Sequence, residues 1–246
     1  MFDAHFHVID PRFPLVANNG FLPQPFDAAS YRRAAAELNV TGGAVVSGSF
    51  QAFDQTYLEA ALAELGPGFV GVAQLPEDVS DAEILRLDAL GVRAVRFNLR
   101  RGGSAGVEAL DRLGARVHDV AGWHTELYVD AQELPALTNS LVDLPVVGVD
   151  HLGLSHAGLP HLLRFVERGG FVKATGFGRV DFDVAEALVA VARVNPQAIV
   201  FGTDLPSTRA PRPFEPADIQ LVHEALGEDG AELVLQRNAE RIYGRA

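Results

Sequence analysis

The 246-residue chain has no cysteine. Disulfides and thiolate nucleophiles are thereby excluded, and a metal would have to be held by His, Asp or Glu side chains. Positive charge is scarce: 20 Lys and Arg stand against 32 Asp and Glu, for a formal net charge of −12. That balance argues against a nucleic-acid surface or a patch for anionic membranes. No run approaches the roughly 18 to 20 consecutive apolar residues that a membrane helix needs. The amino terminus enters an apparent strand without a signal-peptide pattern, so a cytoplasmic protein with no membrane or nucleic-acid partner is expected. A Pro/Gly/Ser-rich linker, a charge block and a short repeat are likewise missing, and residues 1–246 are expected to form a single domain.

What the chain does contain is an alternation of periods. Apolar residues make up 48%, enough for a sizeable core. Period-two segments predict strands near 3–8, 42–48, 69–75, 92–98, 124–130, 146–151, 171–176 and 198–204. Between them, periods near 3.6 predict helices at 28–39, 54–65, 81–90, 106–121, 133–141, 158–168 and 183–194, with a last helical region over 216–243. Gly66-Pro67-Gly68, Gly91, Gly169-Gly170 and Asn195-Pro196 punctuate the boundaries. Eight strands alternating with helices predict a parallel sheet closed into a (β/α)8 TIM barrel, with a doubly wound open sheet as the competing architecture. The long, proline-rich segment 9–27 is expected to lie over the barrel mouth.

Strand alternation then sorts the polar residues. Asp3, His5 and His7 should share the inward face of the first strand, against Ala4, Phe6 and Val8. Arg96 and Asn98 point inward from the fourth strand, and His124, Glu126 and Tyr128 from the fifth. The sixth strand ends in His151 after Val147 and Val149, the seventh offers Lys173 and Thr175, and the eighth offers Gly202 and Asp204. Unpaired buried charges cost several kcal/mol, so these groups must be paired or gathered in a solvated site. Depth separates the two cases. Glu126 and Lys173 lie deep and are expected to form an internal ion pair, with His124 structural; His5, His7, Arg96, Tyr128, His151 and Asp204 lie toward the carboxyl ends, where barrel active sites are built.

Three imidazoles and a carboxylate at one mouth suit two schemes. His5, His7, His151 and Asp204 could hold a single divalent cation such as zinc. Without a metal, Asp204 could take a proton from water while His5 and His7 hold the water or polarise a carbonyl and His151 stabilises the developing oxyanion. Both hydrolyse an ester or amide. Around them Arg96, Arg100 and Arg101 follow the fourth strand, Arg179 follows the seventh, and Arg209 and Arg212 follow the eighth. Guanidinium forks on an acidic chain suggest an anionic substrate, with Arg96, Arg101 and Arg179 as candidate substrate ligands. Arg100, Arg101, Arg209 and Arg212 read equally well as solvated or capping charges, which leaves Arg96 and Arg179 as the stronger candidates, and His156 could reach the mouth.

In order, His5-Phe6-His7, Val92-Arg93-Ala94-Val95-Arg96-Phe97-Asn98, Asp150-His151-Leu152-Gly153 and Gly202-Thr203-Asp204 resemble the amidohydrolase superfamily across essentially the whole chain. The nearest likeness is to the branch of 2-pyrone-4,6-dicarboxylate lactonases and related sugar and muconolactone lactonases. The resemblance implies a (β/α)8 fold and lactone hydrolysis, with Asp204 as general base and His5, His7 and His151 around the reacting carbonyl. It also implies that Arg96, Tyr128 and Arg179 hold the substrate's carboxylates and ring. Arg96 and Asn98 stand where other amidohydrolases carry a metal-bridging lysine or glutamate, so a binuclear centre is not expected. Leu154 stands where the pattern has an arginine, which favours a substrate with one carboxylate or a different anionic lactone. The expectation is therefore a metal-independent hydrolase of a small anionic lactone, with room for a homo-oligomer. Its rivals are a mononuclear zinc decarboxylase or hydrolase of the same superfamily and a catalytically silent barrel that binds an organic acid.

Overall fold

The structure is a computed structural model and describes residues 1–244. Eight parallel strands follow one another around a single sheet: β1 (Phe2–Phe6), β2 (Gly42–Val46), β3 (Phe69–Ala73), β4 (Val92–Phe97), β5 (His124–Leu127), β6 (Val147–Val149), β7 (Phe171–Thr175) and β8 (Ile199–Gly202). Helices α1 (Ala28–Ala34), α2 (Thr56–Leu65), α3 (Asp81–Ala89), α4 (Leu110–Ala121), α5 (Leu134–Leu141), α6 (Leu159–Glu167) and α7 (Val184–Val194) fill the connections. After β8 come α8 (Ala217–Glu232) and α9 (Asn238–Tyr243), joined by a wider helical turn. The (β/α)8 barrel is thus the architecture. Among the described residues no helix is long and apolar enough to cross a membrane.

Local chemistry fixes the boundaries. The side chains of Asp27, Ser80 and Asp183 accept from backbone N–H groups in the first turns of α1, α3 and α7, satisfying donors that a helix start leaves unpaired. Gly122 ends α4 in the left-handed conformation, at φ 72°. Strands buried on both faces need apolar outer side chains, and Val45, Val95, Phe97, Val149 and Val172 supply them. Gly227, at φ 68° and ψ 175°, interrupts the helical region expected over 216–243.

The barrel closes at its carboxyl-end rim. There Asp204 N donates to the His5 carbonyl at 2.7 Å and His7 N donates to the Leu205 carbonyl at 2.8 Å. The closing hydrogen bonds therefore run through residues that carry the candidate chemistry. Gly202 sits in the same seam. A Cβ there would lie 2.6 Å from His5 N and 2.7 Å from His5 Cβ, so the two strands approach only because the side chain is absent.

Two expectations about phase are corrected. A register shift between Asp3 and Phe6 breaks the alternation of β1, so Asp3 is not in line with His5 and His7. Its carboxylate instead accepts from Tyr31 Oη of α1 at 3.0 Å and from Thr203 Oγ1 at 2.7 Å, while Phe6 stacks on the same Tyr31 ring. On β6, Val147 faces the outer helices and borders a groove lined by Leu144 and Phe165. Gly148 packs against the Phe171 ring instead, and Asp150 is the inward residue. His151 reaches the mouth by a left-handed turn, at φ 51°.

The segment 9–27 does lie at the mouth. Bridges Ile9–Phe26 and Asn18–Phe21 fold it on itself, and Arg209, after β8, clasps it through the Asn18 side chain and carbonyl while stacking on Phe21 at 4.2 Å. Overfilling a packed seam typically costs about 1–3 kcal/mol. Gly202→Ala is accordingly expected to lower the unfolding free energy by an amount in that range, seen as a lower urea midpoint at unchanged slope, and an unchanged midpoint would contradict so close a seam.

Candidate active site

His5, His7 and Asp204 offer ligand atoms that all lie within 4.8 Å of one another, as do His5, Asp150 and His151. His5 Nε2 is 3.9 Å and His7 Nε2 3.6 Å from Asp204 Oδ1. The rings of His5 and His151 stand 5.0 Å apart. The four predicted groups are therefore brought together. Two of them, His151 (φ 51°) and Asp204 (φ 59°), hold left-handed backbone that non-glycine residues seldom adopt, a strain that structures retain mainly where side-chain aim matters.

The polarity of the cradle follows from its neighbours. His7 Nδ1 lies 2.7 Å from the Val46 carbonyl, which can only accept, so Nδ1 carries the hydrogen and Nε2 of the neutral ring is an acceptor. Arg179 binds Asp204 Oδ2 with both Nε (2.8 Å) and Nη2 (2.7 Å), leaving Oδ1 free. Burial opposes the charge on Asp204, but Arg179 and then His151 hold its pKa far below the usual carboxylate range. With the His7 ring neutral, two acceptors face each other across 3.6 Å, and a proton donor or a cation belongs between them. Among the described residues His5 Nε2, His151 Nδ1 and Asp204 Oδ1 have no hydrogen-bond partner, although all three are buried.

Arginines ring the mouth. Arg96 donates through Nε (3.0 Å) and Nη2 (2.8 Å) to Asp150 Oδ2 and through Nη1 to the Ser47 carbonyl (2.8 Å). Its charge is therefore balanced inside the protein, as is that of Arg179. Arg101 and Arg209 also line the mouth, with His7, Phe21, Ser49, Asn98, Tyr128 and His151, and among the described residues neither meets a carboxylate. Arg209 thus sits at the mouth, whereas Arg212 pairs with Asp218 and Arg100 is exposed. His156 does not join the site: it is exposed, and its backbone N–H is held by Asp181.

Deeper in the barrel Lys173 Nζ lies 2.5 Å from Glu126 Oε2, and His124 Nε2 is 3.0 Å from Glu126 Oε1, as the depth argument expects. Burial would raise Glu126, but Lys173 and then His124 bring it down to about 2. Asp150 escaped the sequence reading because alternation from Val147 and Val149 puts it on the wrong face. The signal that could have found it is its place in Asp150-His151-Leu152-Gly153, two residues after Gly148 and so on the same face of the strand.

The donor set fits a divalent cation. Two imidazoles and a carboxylate, with unpartnered Nε2 and Oδ1 atoms, are ordinary cysteine-free ligands, and His5, His7 and Asp204 would hold the ion, with His151 nearby.

The amidohydrolase family model (Amidohydro_2) matches residues 2–245. The chain belongs to the amidohydrolase family. Among relatives, this amidohydrolase is 31% identical over 156 residues to a 2-pyrone-4,6-dicarboxylate hydrolase of Comamonas testosteroni, covering 61% of this chain. The match spans about half of that protein's length (51%). In structure it is similar to a Pseudomonas putida protein provisionally termed a 2-pyrone-4,6-dicarboxylic acid hydrolase (TM-score 0.78, 25% identity, 99% of this chain and 97% of that one). An Acinetobacter baumannii protein with citric acid bound shares the fold (TM-score 0.85, 19% identity, 99% of each chain).

Burial drives the pKa of His5 down to about 4, against a raising pull from Asp150, and drives His151 well below its usual value. Unfolded histidines protonate near 6.5. Between pH 6.5 and 4 the unfolded chain therefore binds more protons at these positions, so their contribution is complete above 6.5 and is lost as pH falls. For His5 this amounts to roughly 3 kcal/mol at 1.36 kcal/mol per pKa unit. Asp3, raised to about 6 by burial against its hydrogen bonds from Thr203 and Tyr31, works in the opposite sense, one group against two. Urea midpoints are expected to decline from pH 7 to pH 4, and His5→Gln to flatten that decline. A midpoint that rises on acidification would refute the neutral, buried state of both rings.

Proposed function

We propose that this protein opens a carboxylated lactone by attack of an Asp204-activated water on the ring carbonyl. The observation that carries the reading is the free Oδ1 of an ionised Asp204 opposite Nε2 of His7, beneath a mouth whose Arg101 and Arg209 meet no carboxylate among the described residues. The names of the Comamonas and Pseudomonas relatives support a cyclic ester bearing carboxylates as the substrate class.

A water in the cradle donates to Asp204 Oδ1 and His7 Nε2 and presents a lone pair to the carbonyl carbon. As the C–O bond forms, one water proton passes to Asp204, and His151 stabilises the oxyanion. Collapse of the tetrahedral intermediate breaks the ring C–O bond, and the proton on Asp204 goes to the departing ring oxygen. The products are a carboxylic acid and a hydroxyl (or its keto tautomer), so atoms balance. Arg179 has two tasks in this scheme. When it turns toward a substrate carboxylate its grip on Asp204 Oδ2 weakens, and the base gains strength only with substrate present. Arg96, Arg101 and Tyr128 frame the ring and its carboxylates.

A second reading shares the same donors: a single divalent cation on His5, His7 and Asp204 would supply Lewis-acid polarisation of the carbonyl or a more acidic water. Metal analysis joined to a screen of carboxylated lactones separates the two. Hydrolysis is expected to survive exhaustive chelation, and stoichiometric zinc with activity abolished by the chelator would favour the metal reading. Asp204→Asn is expected to lower kcat by roughly a thousandfold or more while substrate binding changes only a few-fold; near-normal turnover by that variant would remove Asp204 as the base.

A further inference from the structure

Lys173 is the chain's only lysine, and it is fully buried on the barrel axis. The reaction scheme above leaves it without a task. Its ammonium is pinned from below: Glu126 accepts from it through Oε2 at 2.5 Å, while Glu126 Oε1 is held by Tyr243 Oη at 2.5 Å and His124 Nε2 at 3.0 Å. From above, Lys173 Nζ meets His5 Nδ1 at 3.4 Å in hydrogen-bond geometry. An ammonium can only donate, so this contact requires an unprotonated Nδ1. Asp150 Oδ1 makes the contrary demand, because a carboxylate can only accept. It too lies 3.4 Å from His5 Nδ1, yet it has no hydrogen-bond partner in the structure. The lysine contact is the one with hydrogen-bond geometry.

We propose that Lys173 is a positioning residue that fixes His5 as its Nε2–H tautomer, giving the cradle one donor and two acceptors. His5 Nε2–H then faces His7 Nε2 and Asp204 Oδ1, which both accept. That set is complementary to one neutral water: its oxygen accepts from His5, its two hydrogens go to His7 and Asp204, and one lone pair is left for attack. With the opposite tautomer all three groups would accept, an arrangement suited to a cation. The lysine thereby selects what the cradle holds. The catalytic consequence rests on the hydrolase reading, whereas the tautomer itself does not.

The test is the long-range ¹⁵N–¹H correlation spectrum of histidine-labelled protein, with His5 assigned by the signal lost in His5→Gln. The wild-type chain is expected to show His5 protonated at Nε2 and bare at Nδ1. The paired substitution Lys173→Met with Glu126→Gln, which removes both buried charges together, is expected to move the hydrogen to Nδ1, toward Asp150. It should also lower kcat on a carboxylated lactone by about 10- to 100-fold with KM nearly unchanged, the usual effect of removing a group that orients a site residue. A wild-type His5 protonated at Nδ1, or a tautomer that stays at Nε2 in the paired variant, would overturn the proposal. If the variant does not fold, the wild-type spectrum decides alone. A protein inert to every lactone but showing Nε2–H would keep this inference and remove the hydrolase reading.

Discussion

The seam between the first and last strands is the constraint on which everything else depends. Two backbone hydrogen bonds close it, Asp204 N to the His5 carbonyl and His7 N to the Leu205 carbonyl, and each involves a residue of the cradle. Ring closure and site assembly are therefore one event. An imidazole pair near one end of the chain and a carboxylate some two hundred residues later have no local reason to meet. Their encounter is long-range strand pairing, made sterically feasible by Gly202.

A column of polar groups runs down the axis of this apolar barrel, and its charges are matched at each level. Glu126 meets Lys173 at the bottom, Asp150 meets Arg96 in the middle, and Asp204 meets Arg179 near the top. Removing one member of such a pair strands the other in a low-dielectric interior, which is far more damaging than never having had the pair. Only toward the rim does the matching stop. There, among the described residues, Arg101 and Arg209 stand without carboxylates, and Oδ1 of Asp204 has no donor. The unmatched groups mark where the protein ends and a ligand's own charges must continue the pattern.

Much of this was legible in the residues. Period-two runs located all eight strands, and alternation correctly turned His5, His7, Arg96, Tyr128, Lys173 and Asp204 inward and paired Glu126 with Lys173. Alternation failed where the backbone departs from a regular strand. The register shift in β1 sends Asp3 to Tyr31, and the left-handed turn at His151 lets both Asp150 and His151 serve the interior. A periodic argument has no means to register a bulge or a positive φ at a non-glycine residue. It could not decide between mouth and solvent for Arg209, whose position follows from how the β8 loop packs against segment 9–27. Pairing partners across the barrel, such as Arg96 with Asp150, depend on side-chain reach between strands and lie beyond any single-strand pattern.

Because Lys173 is enclosed, the folded chain presents no lysine amine at its surface. Apart from the Met1 amine, its exterior cations are guanidinium groups, which acylating and reductive-alkylation reagents leave alone at neutral pH. Side-chain labelling by such reagents has to wait until the barrel opens. A tag on Lys173, told apart from one on the Met1 amine by peptide mapping, would then count global openings, turning a buried ammonium into a built-in clock for how often this protein comes apart.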